Sequence, residues 1–132
     1  MPLERLIYVS RARGSAADDL LTVSEIVGAS AANNRRDDVT GILLAHQGRF
    51  LQAVEGRGAA LERLMARIEA DPRHTQIEVL ERRVIAERQF PYWEMAHGHA
   101  PEGAPSFDTL DAKGAFAVLS AAAELAGAPE FS

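Results

Sequence analysis

The order in which strand and helix patterns alternate along the chain, β-α-β-β-α-β, predicts an α+β fold of the ferredoxin-like kind. In such a fold a mixed sheet carries both helices on one face. Two observations carry this expectation. Short runs with period-2 alternation are separated by longer stretches whose apolar residues recur at helical spacing. One pair of strands is joined only by a short turn containing Gly, the signature of a hairpin.

Leu3 to Ser10 alternates after a charged start, with Leu6, Tyr8 and Ser10 on one face and Ile7 and Val9 on the other. Arg11 to Ser15 reads as a polar loop. From about Ala16 to Asn33 or Asn34, Leu20, Val23, Val27 and Ala31 fall at helical spacing, and Leu21 and Ile26 widen that face. After the polar break Asn34-Arg35-Arg36-Asp37-Asp38, Val39 to Ala45 reads as a strand, His46-Gln47-Gly48 as a turn and Arg49 to Glu55 as the return strand. Gly56-Arg57-Gly58 then opens a second helix, in which Leu61, Leu64, Met65 and Ile68 form an i, i+3, i+4, i+7 stripe and which Asp71-Pro72 stops. Ile77 to about Ile85 is a further strand. Tyr92 to Gly98, after Phe90-Pro91, supplies a last short one. These elements leave one sheet face bare. An Ala-rich segment from about Leu110 to Ala126, carrying Phe116, Leu119 and Leu125, is the helical cover expected for it.

Composition bounds the function. A chain of 132 residues with 47% hydrophobic and 25% charged residues is a folded domain with a real core. No apolar stretch approaches the roughly 20 residues that cross a bilayer, and the N-terminus enters a strand directly, so a cytoplasmic protein without a signal peptide is expected. The absence of Cys excludes disulfides, thiolate metal sites and Cys nucleophiles. A net charge of −5, with no basic run longer than Arg35-Arg36 or Arg82-Arg83, argues against nucleic acid or an anionic membrane as partner. His97 and His99 lack a third ligand, so no metal site is expected. His46 reads as a solvated turn residue. Glu55-Gly56-Arg57-Gly58 lacks the spacing of a dinucleotide or P-loop fingerprint and reads as a turn.

The informative residues are polar ones on apolar strand faces. Tyr8 and Ser10 share a face with Leu6, and Gln52 shares one with Phe50 and Val54. A buried Gln costs about 1–3 kcal/mol unless it is hydrogen-bonded. Its amide both donates and accepts, so it can bridge a phenol and a heteroaromatic ring. Taken alone, Tyr8 and Gln52 either satisfy each other, face solvent or flank a ligand. Asn34 lies at the end of the line through Val23, Val27 and Ala31, where it serves equally as a helix terminator. Trp93 and Met95 face the same way in the last strand and read alone as core.

Taken in order, these segments resemble the BLUF family, the blue-light sensors using flavin. Leu6-Ile7-Tyr8-Val9-Ser10-Arg11 is similar to the family's first strand. Asn33 to Gly41 is similar to its helix end and second strand, and Gly48-Arg49-Phe50-Leu51-Gln52-Ala53-Val54-Glu55-Gly56 to its third strand. Asp71-Pro72-Arg73-His74 and Arg88-Gln89-Phe90-Pro91-Tyr92-Trp93-Glu94-Met95 match two later segments. Asp38 departs from the pattern, standing where the family usually has Gly.

The resemblance implies a flavin-binding unit over residues 1–98 and a C-terminal linker and helical cap over 99–132. It implies a non-covalent flavin (FAD, with FMN or riboflavin as alternatives) held between the first two helices against the face bearing Tyr8 and Gln52. Gln52 would bridge Tyr8 and the N5/O4 edge of the ring, Asn34 would hold its carbonyl and imide edge, and Arg73 and His74 would approach the other carbonyl or the ribityl side. Ile26 and Val27 would sandwich the ring. Ser10 and Trp93 compete for a place near Gln52, and Met95 contacts it. The implied activity is a photocycle rather than enzymatic turnover. Tyr8 gives up an electron and a proton, both return, and Gln52 is left in an altered tautomer or orientation that red-shifts the absorption. The chain has no room for an effector enzyme, so output is expected through a partner protein or through homo-oligomeric assembly. Residues 110–126 are the expected transmitter. The competing readings are an acylphosphatase-type hydrolase built on Arg11, Arg13 and Asn34, and a flavin-binding module without photochemistry.

Overall fold

A computed structural model describes residues 2–12, 36–46, 48–70, 74–90, 96–99 and 106–125. The strands are β1 (Leu3–Ala12), β2 (Thr40–His46), β3 (Arg49–Arg57), β4 (His74–Ile85) and β5 (Ala96–His99). The helices are α1 (Gly58–Ala70) and α2 (Ala112–Leu125), the latter preceded by a 3-10 turn at Phe107–Thr109. The sheet order is β4-β1-β3-β2-β5, with β3 antiparallel to both β1 and β2, β4 antiparallel to β1, and β5 parallel to β2. This is the expected ferredoxin-like sheet, extended by one strand. The first predicted helix, with Ile26, Val27 and Asn34, lies outside the described residues, as do Arg73, Trp93 and Met95.

The strand alternation sorts the core into two layers. Leu6, Tyr8, Val39, Leu43, Phe50 and Val54 pack against Ala60, Leu61, Leu64, Met65 and Ile68 of α1. On the other face Ile7, Val9, Ile42, Leu44, Leu51 and Ala53 pack against Phe90, Phe107, Ala115, Val118, Leu119, Ala122 and Ala123. The C-terminal helix therefore covers the face that the βαββαβ elements left bare. Each fully buried Leu, Ile or Phe contributes about 1.5–3 kcal/mol relative to leaving it exposed.

Several boundaries differ from the sequence expectation. β1 runs on through Arg11 and Ala12, which were read as loop, because Arg11 pairs with Arg49 and Thr75, and Ala12 with His74. β4 correspondingly starts at His74 rather than Ile77. Opposite the step from Ile7 to Tyr8 it carries a bulge, where Ile7 pairs with Glu81 and Tyr8 with Val79. β2 begins at Thr40 and takes in His46, β5 reaches His99, and α2 is shorter at each end than the 110–126 segment. His46 is not a solvated turn residue. It ends β2, lies 5.3 Å from the Phe107 ring between centroids, and its buried Nε2 has no hydrogen-bond partner among the described residues.

The reading of Glu55-Gly56-Arg57-Gly58 as a turn is also corrected. β3 stays paired with β1 through Arg57, opposite Leu3, and α1 starts at the next residue. Gly56 is needed for close approach rather than for a turn, since a Cβ there would sit 3.2 Å from Val39 Cγ2 and 3.3 Å from the Asp38 carbonyl oxygen.

Asp38 has φ +60°, the left-handed region where glycine is at ease. Its strain is offset by Arg88, which donates to the Asp38 carbonyl at 2.8 Å and to its carboxylate at 3.1 Å. Asp38→Ala loses the carboxylate and keeps the strain, and is expected to cost about 1–2 kcal/mol. Asp38→Gly exchanges one for the other and is expected to change stability by less than about 1 kcal/mol. Urea unfolding of both variants checks the contrast.

Candidate functional site

Tyr8 and Gln52 are direct cross-strand partners on the two central strands, β1 and β3. Both side chains point to the α1 face, and the residues are 1% and 7% exposed. The Tyr8 hydroxyl donates to Gln52 Oε1. Antiparallel register is what allows this, because residues opposite each other place their side chains on the same face. Ser10, fully buried, stands one same-face step further along β1, opposite Phe50. Leu43 flanks Gln52 from β2 and Val79 flanks Tyr8 from β4.

The pair thus sits in an apolar frame, with a phenol O–H donating to an amide carbonyl. That choice makes the amide's NH2 end the donor toward any acceptor placed beside it. A mostly apolar pocket with a few oriented polar groups is the usual environment of a heteroaromatic cofactor, and Tyr8, Ser10 and Gln52 fit one. Of the other predicted contacts, only His74 falls among the described residues, as the first residue of β4 opposite Ala12. A depression on the other sheet face, lined by Val9, Arg49, Gln76, Glu78, Leu80, Phe107 and Leu110, has a volume of about 210 Å³. That is below the roughly 300–1,000 Å³ of ligand pockets, so it does not compete as a flavin site.

Charged residues that the sequence reading passed over form a second constellation on the opposite face. Glu55 is fully buried. Its carboxylate accepts from Arg5 Nη1 at 3.3 Å and from the backbone N–H groups of Gln89 and Phe90 at 2.9 and 2.7 Å. Arg88 donates to the Glu55 carbonyl at 2.8 Å and to Thr40 Oγ1 at 2.7 Å. A signal for the ion pair did exist. Arg5 lies three residues before Tyr8 and Glu55 three after Gln52, so an antiparallel register that pairs Tyr8 with Gln52 also pairs Arg5 with Glu55.

Asp37, after the polar break, lies 3.4 Å from Arg36, 3.3 Å from Arg63 and 3.7 Å from Arg67, and so ties the chain before β2 to α1. Burial pushes its carboxyl up, but hydrogen bonds and charges from Arg63 and Arg36 outweigh this and hold it below its ordinary value. A depressed folded-state value means the cluster stabilises above the ordinary carboxylate range of about 4 and loses that contribution as pH falls through the lower folded value. Asp37→Asn is expected to flatten this acid limb in urea unfolding followed from pH 6 to 3. The effect is small, because Arg36 and Arg63 are largely exposed, and about 0.5 M salt should shrink it further. An unchanged acid limb would show that Asp37 is energetically silent.

Among known proteins, residues 3–96 match the family described as BLUF, sensors of blue-light using FAD. A photoactivated adenylate cyclase subunit beta-like protein of Euglena gracilis is 32% identical over 97 residues, which cover 74% of this chain and 11% of that protein. The chain thus spans about a tenth of the curated relatives it matches. Among solved structures, the dark state of BlrB, a BLUF protein, is 34% identical with a TM-score of 0.69, covering 95% of this chain and 90% of that one. The photo-activated state of BlsA, 24% identical with a TM-score of 0.79 and covering 90% of this chain and 93% of that one, shares the fold. With the profile matching across nearly the whole sheet, the chain belongs to the BLUF family of blue-light sensors.

Proposed function

We propose that this blue-light sensor switches through the Tyr8–Gln52 pair, with residues 1–98 holding the flavin and residues 99–132 acting as its linker and helical cap. The observation that carries the reading is a buried phenol hydrogen-bonded to a buried amide on adjacent central strands. A bound flavin supplies the absorption of blue light and, once excited, an acceptor for one electron. Tyr8 would be the donor of that electron, and its hydroxyl already points the accompanying proton at Gln52 Oε1. With Tyr8 restored, Gln52 would be left with its donor and acceptor ends altered. The pair is then a bistable hydrogen-bond network held in a largely apolar setting.

Asn34, Arg73 and His74 are proposed to hold the polar edges of the ring, Ile26 and Val27 its faces, and Trp93 and Met95 the segment that responds. FAD is the proposed form, in keeping with the family's description. Output is proposed to pass to a partner protein or to a second copy of the chain, without catalysis by the domain itself. The cyclase activity of the longer relatives belongs to those proteins. Membership of a sensor family displaces the hydrolase reading, and Arg11, one of its candidate residues, is an exposed strand residue bonded to Gln76 at 3.3 Å.

The deciding experiment is an absorption spectrum of the purified protein before and after blue light. A yellow protein whose flavin bands shift red and recover in the dark supports the proposal. A yellow protein with no shift supports the flavin-binding module without photochemistry. A colourless protein that takes up no added flavin overturns both.

A further inference from the structure

Glu55 is placed where two parts of the molecule meet. It shares strand β3 with Gln52 but points to the opposite face, because the two positions differ by an odd number of residues. Its Oε1 takes the Gln89 and Phe90 N–H groups at 2.9 and 2.7 Å. Its Oε2 takes the Gln89 N–H at 3.1 Å and Arg5 Nη1 at 3.3 Å. The same Arg5 donates to Glu81 at 3.2 Å, and its guanidinium carbon lies 4.5 Å from the centroid of the Phe116 ring on α2. That ring meets Phe90 edge-on, with centroids 5.8 Å apart and planes at 64°. One carboxylate therefore fixes both the chain at Gln89 and Phe90 and the cation on which α2 rests.

We propose that Glu55 is a positioning residue for signal output. It clamps Gln89 and Phe90 so that a change in the segment leading into β5 is delivered to α2 through the Phe90–Phe116–Arg5 contact rather than lost in a loose connection. The chemistry requires a carboxylate. Two oxygens serve donors on both sides, whereas a glutamine would accept with one end and set its NH2 against an N–H or a guanidinium with the other. Backbone N–H groups held by a buried carboxylate are also among the stronger hydrogen bonds, so the clamp stays closed while softer contacts move. The inference rests on the light-sensing reading above, but it concerns the face opposite Tyr8 and Gln52, so the two can fail separately.

The test is amide hydrogen exchange over residues 86–90 and 112–125, in the dark and under blue light, on the flavin-loaded protein and on Glu55→Gln. The original protein should show a light-dependent change in both segments. Glu55→Gln should keep flavin and the full red shift, exchange faster at 89 and 90 in the dark, and lose at least about five-fold of the light-minus-dark difference over 112–125. Should Glu55→Gln fold poorly, Phe116→Leu keeps the clamp and most of the apolar bulk but removes the ring contacts. It should retain the light response at 86–90 and lose it over 112–125. Either folded variant responding over 112–125 as the original does overturns the proposal, and so does a red-shifting original protein whose α2 exchange ignores light. An original protein without any red shift sinks the light-sensing reading instead.

Discussion

Gln52→Leu is expected to bind flavin and to lose the light-induced red shift, retaining less than about a tenth of its amplitude. Leucine fills much of the same volume on the apolar face of β3, so the packed layer of Leu6, Leu43, Phe50 and Val54 around it should survive. What disappears is the acceptor for the Tyr8 hydroxyl and the group able to exchange its donor and acceptor ends. Tyr8→Phe should give the same spectroscopic silence for a different reason, since it removes the proposed electron and proton donor and leaves the amide. Each replacement removes one buried side-chain hydrogen bond, so a loss of about 1 kcal/mol in stability should accompany it. Light-minus-dark difference spectra of the two loaded variants check this. If either keeps a red shift of normal size, the switch does not run through this pair.

The largest effect on stability is expected from Leu119→Ala. Leu119 is fully buried between α2 and the sheet face formed by Ile7, Leu44 and Leu51. Truncation removes its transfer free energy and leaves a cavity that a close-packed helix and sheet only partly fill, at a cost of about 2–5 kcal/mol. Urea unfolding should show the midpoint falling with an unchanged slope if the helix and sheet unfold together. A separate early transition would instead mark α2 as an independently detaching unit. Lys113→Ala, on the exposed side of the same helix, should stay within about 0.5 kcal/mol and serves as the control. A Leu119→Ala cost below about 1 kcal/mol would mean that α2 is not firmly docked.

These two expectations differ in where they could be read. Tyr8 and Gln52 were visible in the sequence because strand alternation assigns faces, and a polar residue on an apolar face stands out without knowledge of its neighbours. Leu119 was visible as one member of an amphipathic segment. Glu55 was not, because Gly56 and Gly58 beside it resemble turn punctuation. In the folded chain Gly56 is a strand residue required by the approach of Val39, a contact between residues far apart in sequence that no local pattern records. His46 was misjudged for a related reason. Its neighbours Gln47 and Gly48 read as a turn, while its ring packs on Phe107 from the C-terminal cap. Asp38 shows a sequence peculiarity acquiring a meaning, since its left-handed backbone is one that glycine adopts without strain, and the hydrogen bonds from Arg88 offset that strain.

The sequence by itself determined the order of the elements, the two faces of the central strands, the family and the polar pair Tyr8 and Gln52. Each of these depends on periodicity or on residue type at short range. Tertiary structure alone decided the hydrogen bond from Tyr8 to Gln52, the extension of β1, β3 and β4 past their expected ends, and the burial of Glu55 with Arg5, Gln89 and Phe90. The physical reason is that a strand ends where its partner ends, and a buried charge is tolerated only where donors converge on it. Both conditions are set by residues brought together from distant parts of the chain.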